Sequence, residues 1–200
     1  MKATRIILPL LLSLLLQGCA SGLIVAAGAA VTVSSDERSV SQQVHDDNLS
    51  VKAIDTVVAL DSYNNKNIRI NIVTNNGYIL LIGQVNDQAT SNKIENALSQ
   101  LKETKGVYNQ LRIGSPIGVL QQTKDSWLTT KVKTQLTSHD KVNPLKIKVV
   151  TENSEVFLIG QVTQEMSNYA TNITRNIDGV KQVIRVFEII PPKPSKAVNK

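Results

Sequence analysis

The 200-residue chain has one cysteine, Cys19, and two histidines, His45 and His139. A single thiol excludes an intramolecular disulfide and any cysteine-built metal site. Neither histidine has carboxylate or cysteine partners at ligand spacing, so no metal is expected. Aromatic residues make up 4 % of the chain, with one tryptophan, Trp127. There is neither a stacking set of rings nor a basic cluster, which argues against nucleic acid. Glycine-rich phosphate loops are missing as well; Gly83 and Gly160 stand alone after apolar runs. Their expected role is structural, at crowded or positive-φ backbone. No nucleophile motif assembles from the serines, aspartates and histidines. The chain therefore reads as a non-enzyme without cofactors.

Charge of one sign does not dominate. The net charge is +6, and Lys2 and Arg5 supply two of it. The remainder leans toward the C-terminal half, too weakly to specify a partner.

What is present begins at the N-terminus. Lys2 and Arg5 precede an apolar run from Ile6 to Leu16, followed by Leu16-Gln17-Gly18-Cys19. A positive n-region, an apolar h-region and a small residue before the cut describe a secretory signal. The last four residues resemble the bacterial lipobox, in which the cysteine is acylated and the chain is cleaved before it. Gln17 departs from the usual small or aliphatic residue. The competing reading is an uncleaved membrane-spanning helix, since residues 6–33 are mostly apolar; the small and polar residues 17–22 interrupt it. Ala20 follows the cysteine where an aspartate would mark inner-membrane retention. The expectation is an outer-membrane, periplasm-facing lipoprotein anchored at Cys19. Residues 34–45 read as a polar spacer.

The rest of the chain repeats. Ile68-Arg-Ile-Asn-Ile-Val73 matches Leu145-Lys-Ile-Lys-Val-Val150, and Tyr78-Ile-Leu-Leu-Ile-Gly-Gln-Val85 matches Glu155-Val-Phe-Leu-Ile-Gly-Gln-Val162, both at an offset of 77. Gly106-Val107 matches Gly179-Val180 at an offset of 73. Each copy predicts the order αββαβ. In copy two, Leu128, Val132 and Leu136 form a helical core stripe, with Asp125 or Ser126 near its N-cap. In copy one, Val51, Ile54, Val57 and Val58 are expected to do the same. Alternating Ile68/Ile70/Ile72 and Leu145/Ile147/Val149 predict strands, and Asn75-Asn76-Gly77 predicts a tight hairpin. Gly114-Ser115-Pro116-Ile117-Gly118 is a short link, so the copies are expected to pack on each other.

An αββαβ unit whose second strand ends Leu-Ile-Gly-Gln-Val, followed by a helix and a Gly-Val turn, resembles the BON domain. With the lipobox, the whole is similar to the dual-BON outer-membrane lipoproteins of Gram-negative bacteria. The resemblance implies an α+β fold, with two tandem BON domains that each pack a small mixed three-stranded sheet on two helices. It divides the chain into a signal peptide (1–18), a lipidated N-terminus and linker (19–45), two domains (46–114 and 123–190) and a Pro/Lys tail (191–200). It also implies binding of anionic phospholipid through the first helix of the second domain, and a role in outer-membrane integrity, with the division site as a setting.

The residues support that placement independently. At 100° per residue, Lys124, Trp127, Lys131, Thr134 and Ser138 share a stripe roughly 120° from the core centre. Leu128 and Gln135 complete the expected lipid-binding set. At an offset of 78, Leu49 and Ala53 stand where copy two has Trp127 and Lys131, so lipid binding is expected in copy two alone. Three alternatives remain: Trp127 packs between the domains, Trp127 covers the core edge, or the molecule is a scaffold for envelope-assembly or division proteins.

Overall fold

The computed structural model describes residues 25–26, 29–30, 40–60 and 67–191. The chain divides into two units, residues 1–35 and 36–200. In the first, Val25–Ala26 (β1) and Ala29–Ala30 (β2) form a short antiparallel ladder. Cys19 with the residues read as its lipobox, the stretch read as a signal peptide and residues 192–200 lie outside the described residues. Among the described residues no helix is long and apolar enough to cross a membrane.

The second unit holds both repeats. The first comprises α1 (Val40–Ala59), β3 (Arg69–Asn75), β4 (Tyr78–Val85), α2 (Gln88–Ser99) and β5 (Gly106–Ile113). The second comprises α3 (Val119–Thr137), β6 (Lys148–Glu152), β7 (Glu155–Val162), α4 (Gln164–Arg175) and β8 (Gln182–Ile189). Each sheet has its middle strand paired antiparallel on one side and parallel on the other, in the order β3-β4-β5 and β6-β7-β8. This is the α+β, αββαβ architecture the repeat predicted.

The middle strands read as unbroken apolar runs because both of their faces are buried. Ile79, Leu81 and Val85 of β4 face Leu49, Ala53, Val57, Ile94 and Leu98 of α1 and α2. Val156, Leu158 and Val162 of β7 face Leu128, Val132, Leu136 and Ala170 of α3 and α4. The alternate residues, Leu80 and Ile82 with Phe157 and Ile159, meet in a third cluster with Val73, Val150, Ile184 and Val186. The two sheets therefore pack face to face and the helices lie outside. A polar rim closes this interface. Buried Glu152 pairs with Arg69 (Nε to Oε1, 3.0 Å) and accepts from Gln84 Nε2 at 3.1 Å. Arg112 Nη2 reaches Glu155 at 2.9 Å, and Asn76 Nδ2 donates to Glu188 at 2.6 Å.

Several sequence expectations shift. The first helix starts at Val40, inside the stretch read as a spacer, and includes His45. Its core face is Leu49, Ala53 and Val57, whereas Val51, Ile54 and Val58 are exposed. Helix α3 starts at Val119 with Gly118 as N-cap, so Asp125 is not a cap. Instead its buried carboxylate accepts from the backbone N–H groups of Asn153 (2.7 Å) and Ser154 (2.9 Å). Asp46 does the same for Asn76 and Gly77 in the first domain. Both hairpins turn through two positive-φ residues, Asn76 and Gly77 or Asn153 and Ser154, the geometry whose twist suits adjacent strands.

Gly83 and Gly160 lie inside β4 and β7, not in the turns after them. Their φ values are +126° and +153°, and an added Cβ would fall 2.1 Å from the Arg69 carbonyl oxygen and 2.0 Å from that of Lys146. The strand pairing also resets the repeat. Tyr78 opposes Gly106, and Glu155 opposes Gln182. The last strands are therefore related by 76 residues, not 73, and Gly179 belongs to the turn before β8.

Candidate functional site on the first helix of the second domain

The sequence dictates two faces on α3. Leu128, Val132 and Leu136 pack in the core. Leu128, at 4 % exposure, therefore leaves the expected binding set. Lys124, Trp127, Thr134, Gln135 and Ser138 are exposed, and Lys131 is half-buried. Trp127 is 63 % exposed, which removes the reading that it packs between the domains.

The helix is seven residues longer at its start than an N-cap at Asp125 would give, and the added turns matter. Leu120 is 82 % exposed and lies one turn before Lys124. Leu120, Lys124, Trp127 and Lys131 are spaced four, three and four apart, so they share one stripe. Lys131 Nζ sits 5.1 Å from the Trp127 ring centroid, a cation–π distance. The same ammonium donates to the Asp178 carbonyl oxygen at 3.4 Å.

The hydroxyls around this stripe are already satisfied. Thr123, Thr130, Thr134 and Thr137 each donate to the carbonyl four residues earlier, as does Ser126. Ser138 donates to the Gln135 carbonyl. A hydroxyl bonded back to its own helix needs no water for its proton. The face therefore combines an apolar residue, a tryptophan and two cations on a helix whose other polar groups are largely quenched.

The first domain gives an internal comparison, and its register differs from the one read in the sequence. Asp46 and Asp125 hold equivalent hairpins, so the first helices align at an offset of 79. Asn48, not Leu49, stands in the place of Trp127, and Lys52, not Ala53, in that of Lys131. The cation is thus retained in copy one, but Lys52 forms an ion pair with Glu103. That hydrogen bond from Lys52, assisted by the local backbone, holds the exposed Glu103 carboxyl below the ordinary glutamate range. Lys131 has no carboxylate partner among the described residues. Ser41 and His45 stand where copy two has Leu120 and Lys124, so the copies differ in a leucine, a lysine, a tryptophan and, among the described residues, in whether the retained lysine has a carboxylate partner.

Comparison with known proteins bears on what the two domains are. The BON domain family model matches residues 45–115 and 124–191. The chain is 36 % identical over 178 residues to the outer membrane lipoprotein DolP of Haemophilus influenzae, covering 89 % of this chain and 92 % of that protein. It is also 36 % identical over 155 residues to a 21 kDa hemolysin of Actinobacillus pleuropneumoniae, covering 78 % and 79 % respectively. Among solved structures it matches CdsD, a structural protein of the type III secretion system of Chlamydia trachomatis, at a TM-score of 0.31 and 12 % identity. That match covers 71 % of this chain and 94 % of that one, a likeness too low to argue from.

Proposed function

The chain belongs to the BON domain family, and from that premise we propose that it is a non-catalytic outer-membrane lipoprotein that binds anionic phospholipid. In this reading acyl chains on Cys19 hold it to the periplasmic side of the outer membrane. The face of α3 carrying Leu120, Lys124, Trp127 and Lys131 engages lipid headgroups, with Thr134, Gln135 and Ser138 along the same side. The service performed is support of outer-membrane integrity, with the division site as one place of action.

The single observation that carries the reading is the 63 % exposure of Trp127 beside an ammonium that, among the described residues, no carboxylate neutralises. Tryptophan favours the bilayer interface, where its ring is half-buried and its N–H stays wet. Each lysine near an anionic surface contributes about 1 kcal/mol. Those increments are small, and they suffice for a protein already tethered, because tethering raises its effective concentration at the membrane.

Trp127 is the only tryptophan in the chain, so its own fluorescence reports the contact. Mature protein with Cys19→Ser, which lacks the acyl anchor, is mixed with phosphatidylglycerol or phosphatidylcholine vesicles. The expected result is a blue shift with the anionic vesicles only, weakening as salt is added. Trp127→Glu should sharply weaken co-sedimentation while circular dichroism stays native. Binding that ignores both lipid charge and the substitution overturns the proposal.

One observation favours a second reading, a scaffold for envelope-assembly or division proteins. Val44, Val51, Ile54 and Val58 form an exposed apolar stripe on α1, opposite its buried face. Salt-insensitive capture of a protein partner, lost in Val51→Asp, would support it.

A further inference from the structure

A groove of about 510 Å³ lies between α4 and the edge strand β8, lined by Asn168, Tyr169, Thr171, Asn172, Arg175 and Arg185. The first domain shows what this position does when it is closed. There Asn109, on β5, donates to Ser91 at 2.9 Å and to Glu95 at 2.8 Å, both on α2. Asn109 opposes Leu81 in the sheet, and Arg185 opposes Leu158. The N-caps of α2 and α4 are Asp87 and Thr163. By these two registers Arg185 replaces Asn109, Thr171 replaces Glu95, and Arg175 replaces Ser99. The second copy has thus exchanged an amide for a guanidinium and deleted the carboxylate that would have satisfied it.

The consequence is a concentration of unused donors. Among the described residues neither guanidinium has a hydrogen bond or an ion pair. Val183 and Phe187, two positions to either side of Arg185 on the same face of β8, pack against the core. The aliphatic stem of Arg185 therefore rises from an apolar floor toward α4. Asn168 Oδ1 is occupied by Gln164, which leaves its Nδ2 to donate. Thr171 Oγ1 donates its proton back to the Ser167 carbonyl at 2.7 Å, and no carboxylate stands at this position. The half-exposed Tyr169 ring, held 5.2 Å from His139, forms one wall. The one carboxylate at the rim, Glu165, lies in the first turn of α4, roughly 15 Å along the helix from Arg175.

We propose that this groove is an oxyanion site, taking a phosphate or carboxylate borne on a hydroxylated molecule. Paired guanidinium groups recognise such oxygens by charge-assisted bonds, and the amides of Asn168 and Asn172 suit the carrier's hydroxyls. The site is separate from the α3 face, so it can stand or fall alone.

The test uses the full mature chain carrying Cys19→Ser, which lacks the acyl anchor, and Trp127→Glu, which removes the α3 site. Glycerol 3-phosphate is titrated while the side-chain Nε–Hε resonances of Arg175 and Arg185 are followed by NMR. Phosphatidylglycerol vesicles are tested in parallel by co-sedimentation. Saturable shifts with the soluble ester assign the ligand to a free phosphorylated molecule. Retention on vesicles without a response to the ester assigns it to a lipid headgroup. Either response should fall at least tenfold in Arg185→Asn, which copies the first domain. It should fall equally in Thr171→Glu, which restores the missing carboxylate without removing the arginine. No response to either probe, or unchanged affinity in Arg185→Asn with the backbone spectrum intact, overturns the proposal.

Discussion

Replacing Asp125 by alanine should destabilise the protein far more than its position on a helix suggests. In the middle of α3 an aspartate is a poorer helix former than alanine, so helix propensity alone predicts a small gain, up to about 0.7 kcal/mol. The structure predicts a loss. The carboxylate accepts from Asn153 N at 2.7 Å, from Ser154 N at 2.9 Å and from Gln121 Nε2 at 2.8 Å. Bonds to a charged acceptor contribute about 1.5–3 kcal/mol each when buried, less when water can substitute. The two backbone donors are part-buried, and the Gln121 bond stays within α3, so the net loss should be ~2–3 kcal/mol. Ser154 also holds a left-handed φ that a non-glycine residue resists by about 1–2 kcal/mol, and Asp125 offsets that strain. For a unit of this size the melting temperature should drop by about 5–10 °C. Urea denaturation followed by circular dichroism measures it, with Asp46→Ala as the matching change in the first domain. Asp125→Asn, which keeps one acceptor oxygen, should lose roughly half as much. An Asp125→Ala variant within about 0.5 kcal/mol of the parent would refute the reasoning, because surface helix substitutions do no more than that.

Other outcomes follow from the same geometry. Gly160→Ala should cost more than about 2 kcal/mol, from positive φ and a Cβ driven into the Lys146 carbonyl; a melting temperature equal to the parent's would count against it. Phe157→Ala, which empties the contact between the sheets, should cost about 3–5 kcal/mol and split one denaturation transition into two. The Glu103 carboxyl, titrated by NMR, should have its midpoint below the ordinary glutamate value and return toward it in Lys52→Gln. Because the folded-state pKa is depressed, the tie to Lys52 is fully present at neutral pH. It is lost as the pH falls through the acidic folded-state midpoint.

How much of this the sequence disclosed depended on whether one face or two decided a residue's place. The strands were legible because alternation and the Asn-Gly turn are local signals. The start of α3 was not, because Asp125 has the residue type of an N-cap while its carboxylate serves a hairpin 28 residues away. With the start misplaced, Leu120 stayed outside the candidate face although it is the most exposed large apolar side chain on that stripe. In α1 both faces are apolar, and the pattern alone favoured the β-branched Val51, Ile54 and Val58 over Leu49 and Ala53. The choice was made by which face packs with Ile79, Leu81 and Val85 of β4, which only the fold reveals. That error also displaced the repeat register by one residue, which concealed Lys52 as the counterpart of Lys131. Trp127, by contrast, was legible from its angle to Leu128, Val132 and Leu136 alone.

The cluster between the two sheets draws on equivalent positions of both repeats: Leu80 and Ile82 with Phe157 and Ile159, and Val73 with Val150. Two separate chains joined this way would form a homodimer with a self-complementary patch. Here the dimer is written into one polypeptide. In a true homodimer every substitution appears twice, and a cationic face on one side would be mirrored on the other. The covalent version lifts that constraint. One outward helix can acquire a tryptophan and lysines that have no carboxylate partner among the described residues, while its twin keeps Asn48 and a lysine bound to Glu103, so the molecule has a front and a back.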